Sequence, residues 1–136
     1  MFADQLTQEQ RQAVFDLAAN LAAADNEVSP EEEQYLRDFS SAYGIEYDLE
    51  KSDLNINTAL SVLDTKKARV ITLQELIKLS YKDGHFGREE QEKVFLIAQK
   101  MGLNNTELLM RIESWVRQGF DWVYEGEQMI AESSED

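Results

Sequence analysis

Two stretches of this chain repeat one another: "AAADNEVSPEEEQYL" at residues 22–36 and "SYKDGHFGREEQEKV" at residues 80–94. Sliding residues 7–45 onto 65–103 aligns them without a gap, each residue falling on the one 58 positions later. The identities are Thr7/Thr65, Arg11/Arg69, Leu21/Leu79, Asp25/Asp83, Glu31/Glu89, Glu32/Glu90 and Gly44/Gly102. The substitutions keep their character. Asn26 stands against Gly84, both tolerant of positive φ, while Val28, Leu36, Phe39 and Ile45 stand against Phe86, Val94, Ile97 and Leu103. Likeness at a fixed offset marks one supersecondary unit used twice, so the fold must build the unit, build it again and pack the copies together.

Each unit reads as a helical hairpin. Val14, Leu17, Ala18 and Leu21 recur at the three-and-four spacing of one helix face over residues 8–24, and Thr7 with Gln10 forms a capping-box start. Ser29 as N-cap, Pro30 at the first helical position and Glu31 and Glu32 beside the positive dipole end predict a second helix. It presents Leu36, Phe39 and Tyr43 inward and stops at Gly44. After a loop over 46–57, the pattern predicts a short helix over 58–63. A longer one follows over 66–82, presenting Val70, Leu73, Leu76, Ile77 and Leu79. A fifth helix over 88–101 turns Val94, Ile97, Ala98 and Met101 inward before Gly102. The sixth, over 106–124, carries Leu108, Ile112, Trp115, Val116, Phe120 and Val123 on one broad side. The expected class is all-α: a bundle of about six helices, two pseudo-twofold-related hairpins with the last helix over their seam. Residues 1–125 form the single expected domain, and the acidic end "GEQMIAESSED" reads as a disordered tail over 126–136.

Composition bounds the function. The net charge is −14, from 13 basic and 27 acidic side chains, with residues 1–50 at −10, 51–103 at +2 and 104–136 at −6. Such a surface repels phosphate backbones, which argues against a nucleic-acid partner and favours cations or a basic protein patch. The chain has no cysteine, so neither a disulfide nor thiol catalysis is available. It has no apolar run of bilayer length, and "MFADQLTQEQRQ" lacks the basic start and cleavage-type ending of a signal peptide. The expectation is a cytoplasmic protein that does not insert into the membrane.

The quoted motifs carry a family likeness. "LAAADNEVSPEEEQYLRDF", the later "GI", and "LSYKDGHFGREEQEKVFLIAQKMGL" resemble the tellurite-resistance TerB-like domain family over about residues 8–120. That family consists of small helical proteins marked by helix, Asp-Gly turn, Ser/Gly-x-Glu-Glu and helix; here Asn26 replaces the commoner glycine of the first turn. The resemblance implies a non-catalytic bacterial stress-associated module. Relatives are linked to metal-ion sensing, to membrane-associated complexes and, beside J-domains, to co-chaperones.

The acidic turns allow two readings. In one, Asp25 and Glu32 in the first copy, and Asp83 and Glu90 in the second, are oxygen ligands of a hard divalent cation such as Ca²⁺ or Mg²⁺. The strong form, an EF-hand, fails: counting from Asp25, Pro30 occupies the glycine slot and Leu36 the place of the bidentate glutamate, and Val94 fills that place in the second copy. In the other reading the aspartates accept turn N–H groups and the glutamates serve the helix starts, which accounts for every residue type at its spacing. His85, the lone histidine, reads as an exposed turn residue, since one imidazole without a second soft ligand makes a poor transition-metal site.

Neither GxSxG, Walker, HExxH nor Cys/His patterns occur, so an enzyme is not expected and no cofactor is required. The basic run Lys66–Arg69 sits unfavourably at a helix start; intramolecular pairing with the acid-rich first half is its expected use, and docking of an acidic partner is the alternative. Trp122 falls off the sixth helix's inward stripe. Partly exposed beside Gly119, it is the candidate contact for a protein partner. The leading expectation is a partner-docking TerB-like module, open to divalent-cation control; the alternative is a cation-binding protein centred on the duplicated turns.

Overall fold

The computed structural model describes residues 1–23, 28–48, 56–81, 87–103 and 105–133. These contain a 3-10 turn at Ala3–Gln5 and six α-helices: α1 (Gln8–Ala23), α2 (Pro30–Tyr43), α3 (Ile56–Val62), α4 (Lys66–Ser80), α5 (Arg88–Lys100) and α6 (Thr106–Glu132). No strand occurs among the described residues, and the class is all-α.

The first helices of the two repeats form the centre. Helix α1 buries Val14, Phe15, Leu17, Ala18 and Leu21, and α4, packed against it, buries Ile71, Leu73, Leu76, Ile77 and Leu79. Each then receives its hairpin partner, α2 on α1 and α5 on α4. Each also takes one outer helix, the short α3 on α1 and the long α6 on α4. Helix α6 thus lies along α4, where the sequence suggested a seam-covering helix. Both first helices are buried over far more than one narrow stripe, which suits elements packed on several sides.

The repeated residues make repeated bonds. Thr7 Oγ1 accepts the Gln10 N–H at 3.2 Å, and Thr65 Oγ1 accepts the Ala68 N–H at 3.1 Å. The α2 start is a capping box: Ser29 Oγ accepts the Glu32 N–H at 3.1 Å, and Glu32 Oε1 accepts the Ser29 N–H at 3.0 Å. Glu90 accepts the Gly87 N–H at 2.6 Å, the same reach-back at the start of α5. Past the helix ends, the Ile45 N–H donates to the Ser40 carbonyl at 2.9 Å and the Leu103 N–H to the Ala98 carbonyl at 2.8 Å, the Schellman pattern twice.

The paired arginines explain themselves here. Arg11 donates to the Ala3 and Asp4 carbonyls at 2.8 Å each and lies 5.0 Å over the Tyr43 ring. Arg69 donates to the Leu63 and Met101 carbonyls at 2.7 Å each, Met101 being the repeat partner of Tyr43. Each guanidinium therefore ties the segment before its helix to the far end of the hairpin. In the run Lys66–Arg69, intramolecular pairing takes this form at Arg69, on carbonyls in place of carboxylates; Lys66 and Lys67 stay exposed.

Gly44 and Gly102 have φ of +64° and +77°, and an added Cβ would meet nothing within 4 Å at either. The cost of a side chain is therefore backbone strain alone, about 1 kcal/mol or somewhat more per site. Gly44→Ala and Gly102→Ala should each lower stability by that amount, and the double variant by their sum, because the sites lie in separate hairpins. Urea titration of the three variants checks this; unequal losses would mean that the two hairpin ends are held differently.

Candidate functional site

Of the four carboxylates read as candidate cation ligands, the structure describes Glu32 and Glu90. Glu32 and Glu90 each spend a carboxylate oxygen on the N–H of the N-cap residue, as helix-start residues do. Asp25, Asp83 and His85 lie outside the described residues. Among the described residues no group of three or more His, Cys, Asp or Glu side chains is placed to hold a metal ion.

Helix α6 departs furthest from expectation. The apolar period was expected to end at Tyr124 with a disordered tail after Glu125, yet the helix continues to Glu132. Val116, Val123 and Ile130 recur at seven-residue intervals, and so do Trp115, Trp122 and Met129, with Gly119 and Gly126 between them. This is one continuous helix stripe that carries on through the acidic end. Glu, Gln, Met and Ala are good helix formers, so the backbone follows.

The stripe is covered only over its first half. Leu109, Ile112 and Val116 are buried against the body, whereas Val123, expected inside, is 50% exposed and Trp122 is 77% exposed. Met129 and Ile130 are also exposed. The cause is length. Helix α6 has 27 residues, ~40 Å at the usual rise, against 15 residues and ~22 Å for α4. Val70 and Gln74 of α4 flank Leu108 and Ile112 of α6, and Lys78 flanks Trp115 and Phe120, so the two run in the same sense. Helix α4 ends with α6 only about half covered, and the stretch after residue 118 projects by roughly 20 Å.

Two contacts fix the root of this projection. Phe2 stacks on Trp115 with ring centres 6.1 Å apart, leaving Trp115, expected in the core, half-open at the surface. Tyr81, just after α4, stacks on Phe120 at 5.9 Å, and its hydroxyl donates to the Glu113 carboxylate, which also takes Arg117 Nη1 at 3.0 Å. Burial first, and then the neighbouring Glu113 carboxylate, push the Tyr81 phenol up to about 12, so it remains a donor throughout the physiological range.

Beside this root lies an open groove of about 660 Å³, lined by Lys78, Trp115, Gly119, Phe120, Trp122 and Val123 among others. Added Cβ atoms at Gly119 and Gly126 would meet nothing within 4 Å. Among the described residues no packing therefore calls for glycine at either place, although each costs an exposed helix about 1 kcal/mol relative to alanine. Trp122 was legible in the sequence. Gly126, Met129 and Ile130 were not, and the seven-residue recurrence is the signal that finds them.

Behind the groove, α4 carries the buried carboxylate of Glu75, only 3% exposed. The Tyr35 hydroxyl of α2 donates to Glu75 Oε2, Lys78 Nζ lies 3.7 Å from the same oxygen and the Met1 amine 3.1 Å from Oε1. Burial raises this carboxyl, but Lys78, the Tyr35 hydroxyl and the Met1 amine outweigh it and hold it below its ordinary value. The same burial, followed by the charge of Glu75, pushes the Tyr35 phenol well above 10.0. No helix of the described residues is long and apolar enough to cross a membrane. No protein-family model, curated protein or solved structure matches the chain.

Proposed function

We propose that the protein is a non-catalytic, TerB-like helical module of the bacterial cytoplasm. It docks a protein partner, within a stress-response or membrane-associated complex, through the projecting half of α6, and divalent cations at the acidic turns modulate the docking. One observation carries the docking: Trp122, 77% exposed, sits midway along an apolar helix face that the rest of the described chain leaves uncovered. Large contiguous apolar surface of this kind marks interaction sites, and tryptophan is among the residues most enriched in their energetic centres. The repeated acidic turns and the family likeness support the cation control.

The test is a photo-crosslinking amino acid at position 122, expressed in the native host, with a second chain carrying it at exposed Glu92 of α5 as control. A discrete adduct at 122, missing from the control and lost when Met129 and Ile130 are changed to serine, is the expected result. Equal or absent adducts at both positions would remove the docking role. Titration calorimetry with Ca²⁺ and Mg²⁺ tests the modulation. Saturable heat that disappears in Asp25→Ala/Asp83→Ala supports it, and no heat at millimolar ion refutes it.

A further inference from the structure

We infer that the occupant of the α6 face is an amphipathic helix whose apolar side is bordered by lysine or arginine. This rests on the docking role proposed above and adds the partner's chemistry. Three observations converge on it.

The first is shape. The exposed stripe is straight and keeps a seven-residue recurrence, with Val123 and Ile130 along one line, Trp122 and Met129 along the next, and hollows at Gly119 and Gly126. A second helix is the complement of such a surface: its side chains enter holes between residues of the facing helix, and small residues at those holes let the backbones approach. A glycine whose missing side chain none of the described residues replaces makes such a hole available to a visitor. The second is length. A projection of roughly 20 Å accommodates about four turns of helix, enough for an apolar stripe to define a register.

The third is charge, and it selects among helices. Beyond Arg117 the described part of α6 carries Asp121, Glu125, Glu127 and Glu132 and no base. At roughly 100° per residue, Glu127 falls beside Val123 on one border of the stripe, and Glu125 and Glu132 lie beyond Met129 on the other. Both margins are therefore acidic. A second copy would set its own acidic margins against these, on a chain whose net charge is −14, and an anionic membrane surface would be repelled in the same way. A helix with basic borders satisfies both the apolar stripe and its margins.

The experiment uses the full chain and two model peptides of about 18 residues with one leucine face, bordered by lysine in one and by glutamate in the other. Titration calorimetry and tryptophan emission at 0.15 M salt should show saturable one-to-one binding of the lysine peptide, at least about tenfold tighter than the glutamate peptide. Trp122→Ala and Gly126→Leu, which leave every charge in place, should each weaken the lysine peptide about tenfold. Gly126→Leu fills a hollow that none of the described residues occupies, so it should fold, and circular dichroism verifies this. If the lysine peptide binds both variants as it binds wild type, the attraction is diffuse charge and the inference falls. It falls equally if the two peptides bind alike, or if the chain alone sediments as a dimer that Trp122→Ala dissociates. A specific crosslink at position 122 together with any of these results would leave docking standing and remove only the basic helix.

Discussion

Glu75→Ala should destabilise the protein by about 3–5 kcal/mol, the loss typical when one member of a buried, hydrogen-bonded charge cluster is removed. In thermal unfolding this appears as a fall in midpoint of roughly 10 °C or more. The reason lies in what the carboxylate leaves behind. Without it the Tyr35 hydroxyl, carried into the interior on α2, has lost its acceptor, and Lys78 and the Met1 amine lose the charge they face. Glu75→Gln keeps an acceptor for Tyr35 and gives up only the charge, so it should cost about half as much.

The pH dependence has a definite sign. The folded carboxyl titrates below its ordinary value of 4.5, so unfolding takes up a proton in acid. Its contribution is complete above about 4.5 and disappears as pH falls through the lower, folded value. The gap in stability between wild type and Glu75→Gln should therefore be constant from neutrality to about pH 5 and close in stronger acid. A gap that stays open as the pH falls well below 4.5 would mean the carboxylate is not the stabilising species.

Leu36→Ala is the second large effect, at about 3–4 kcal/mol, with Val94→Ala at roughly 2 kcal/mol. Both side chains are 0% exposed, and they occupy the same position of the two repeats, on α2 and α5. Truncation leaves a void against α1 in one case and α4 in the other, and the larger side chain leaves the larger void. Chemical denaturation should show a single transition displaced in both variants. A separate early transition for Val94→Ala would mean that the second hairpin opens on its own. The interior of the molecule is one connected set of buried residues from Ala3 to Val116, which is the physical ground for expecting one transition.

The helix boundaries that were legible are those with local chemistry at them. Ser29, Pro30 and Glu32 open α2 through bonds reaching only three residues, and Gly44 closes it through its own φ. Such features act within a turn, so the order of residues suffices to read them. The end of α6 was misread because the acids from Glu125 onward look like solvent-exposed tail, while the recurrence through Val123 and Ile130 spans seven residues. Whether a stripe is covered depends on a different element. Nothing in residues 106–132 says that α4 ends at Ser80, and that is what exposes Trp122 and Val123. Glu75 was passed over for a related reason: a glutamate within a helix reads as solvated until Tyr35, 40 positions away, is seen donating to it. The paired glutamates stood on firmer ground, since the capping role open to Glu32 and Glu90 in sequence is the bond each makes.

Helix α6 runs unbroken from Asn105, its cap, to Glu132, and Tyr81 clasps it toward its middle through Glu113 and Phe120. A rod held in this way is a lever with its fulcrum at the end of α4. A load taken up at Ile130 would meet the body of the molecule first at Tyr81, less than two helical turns from the Glu75 cluster on the same stretch of chain.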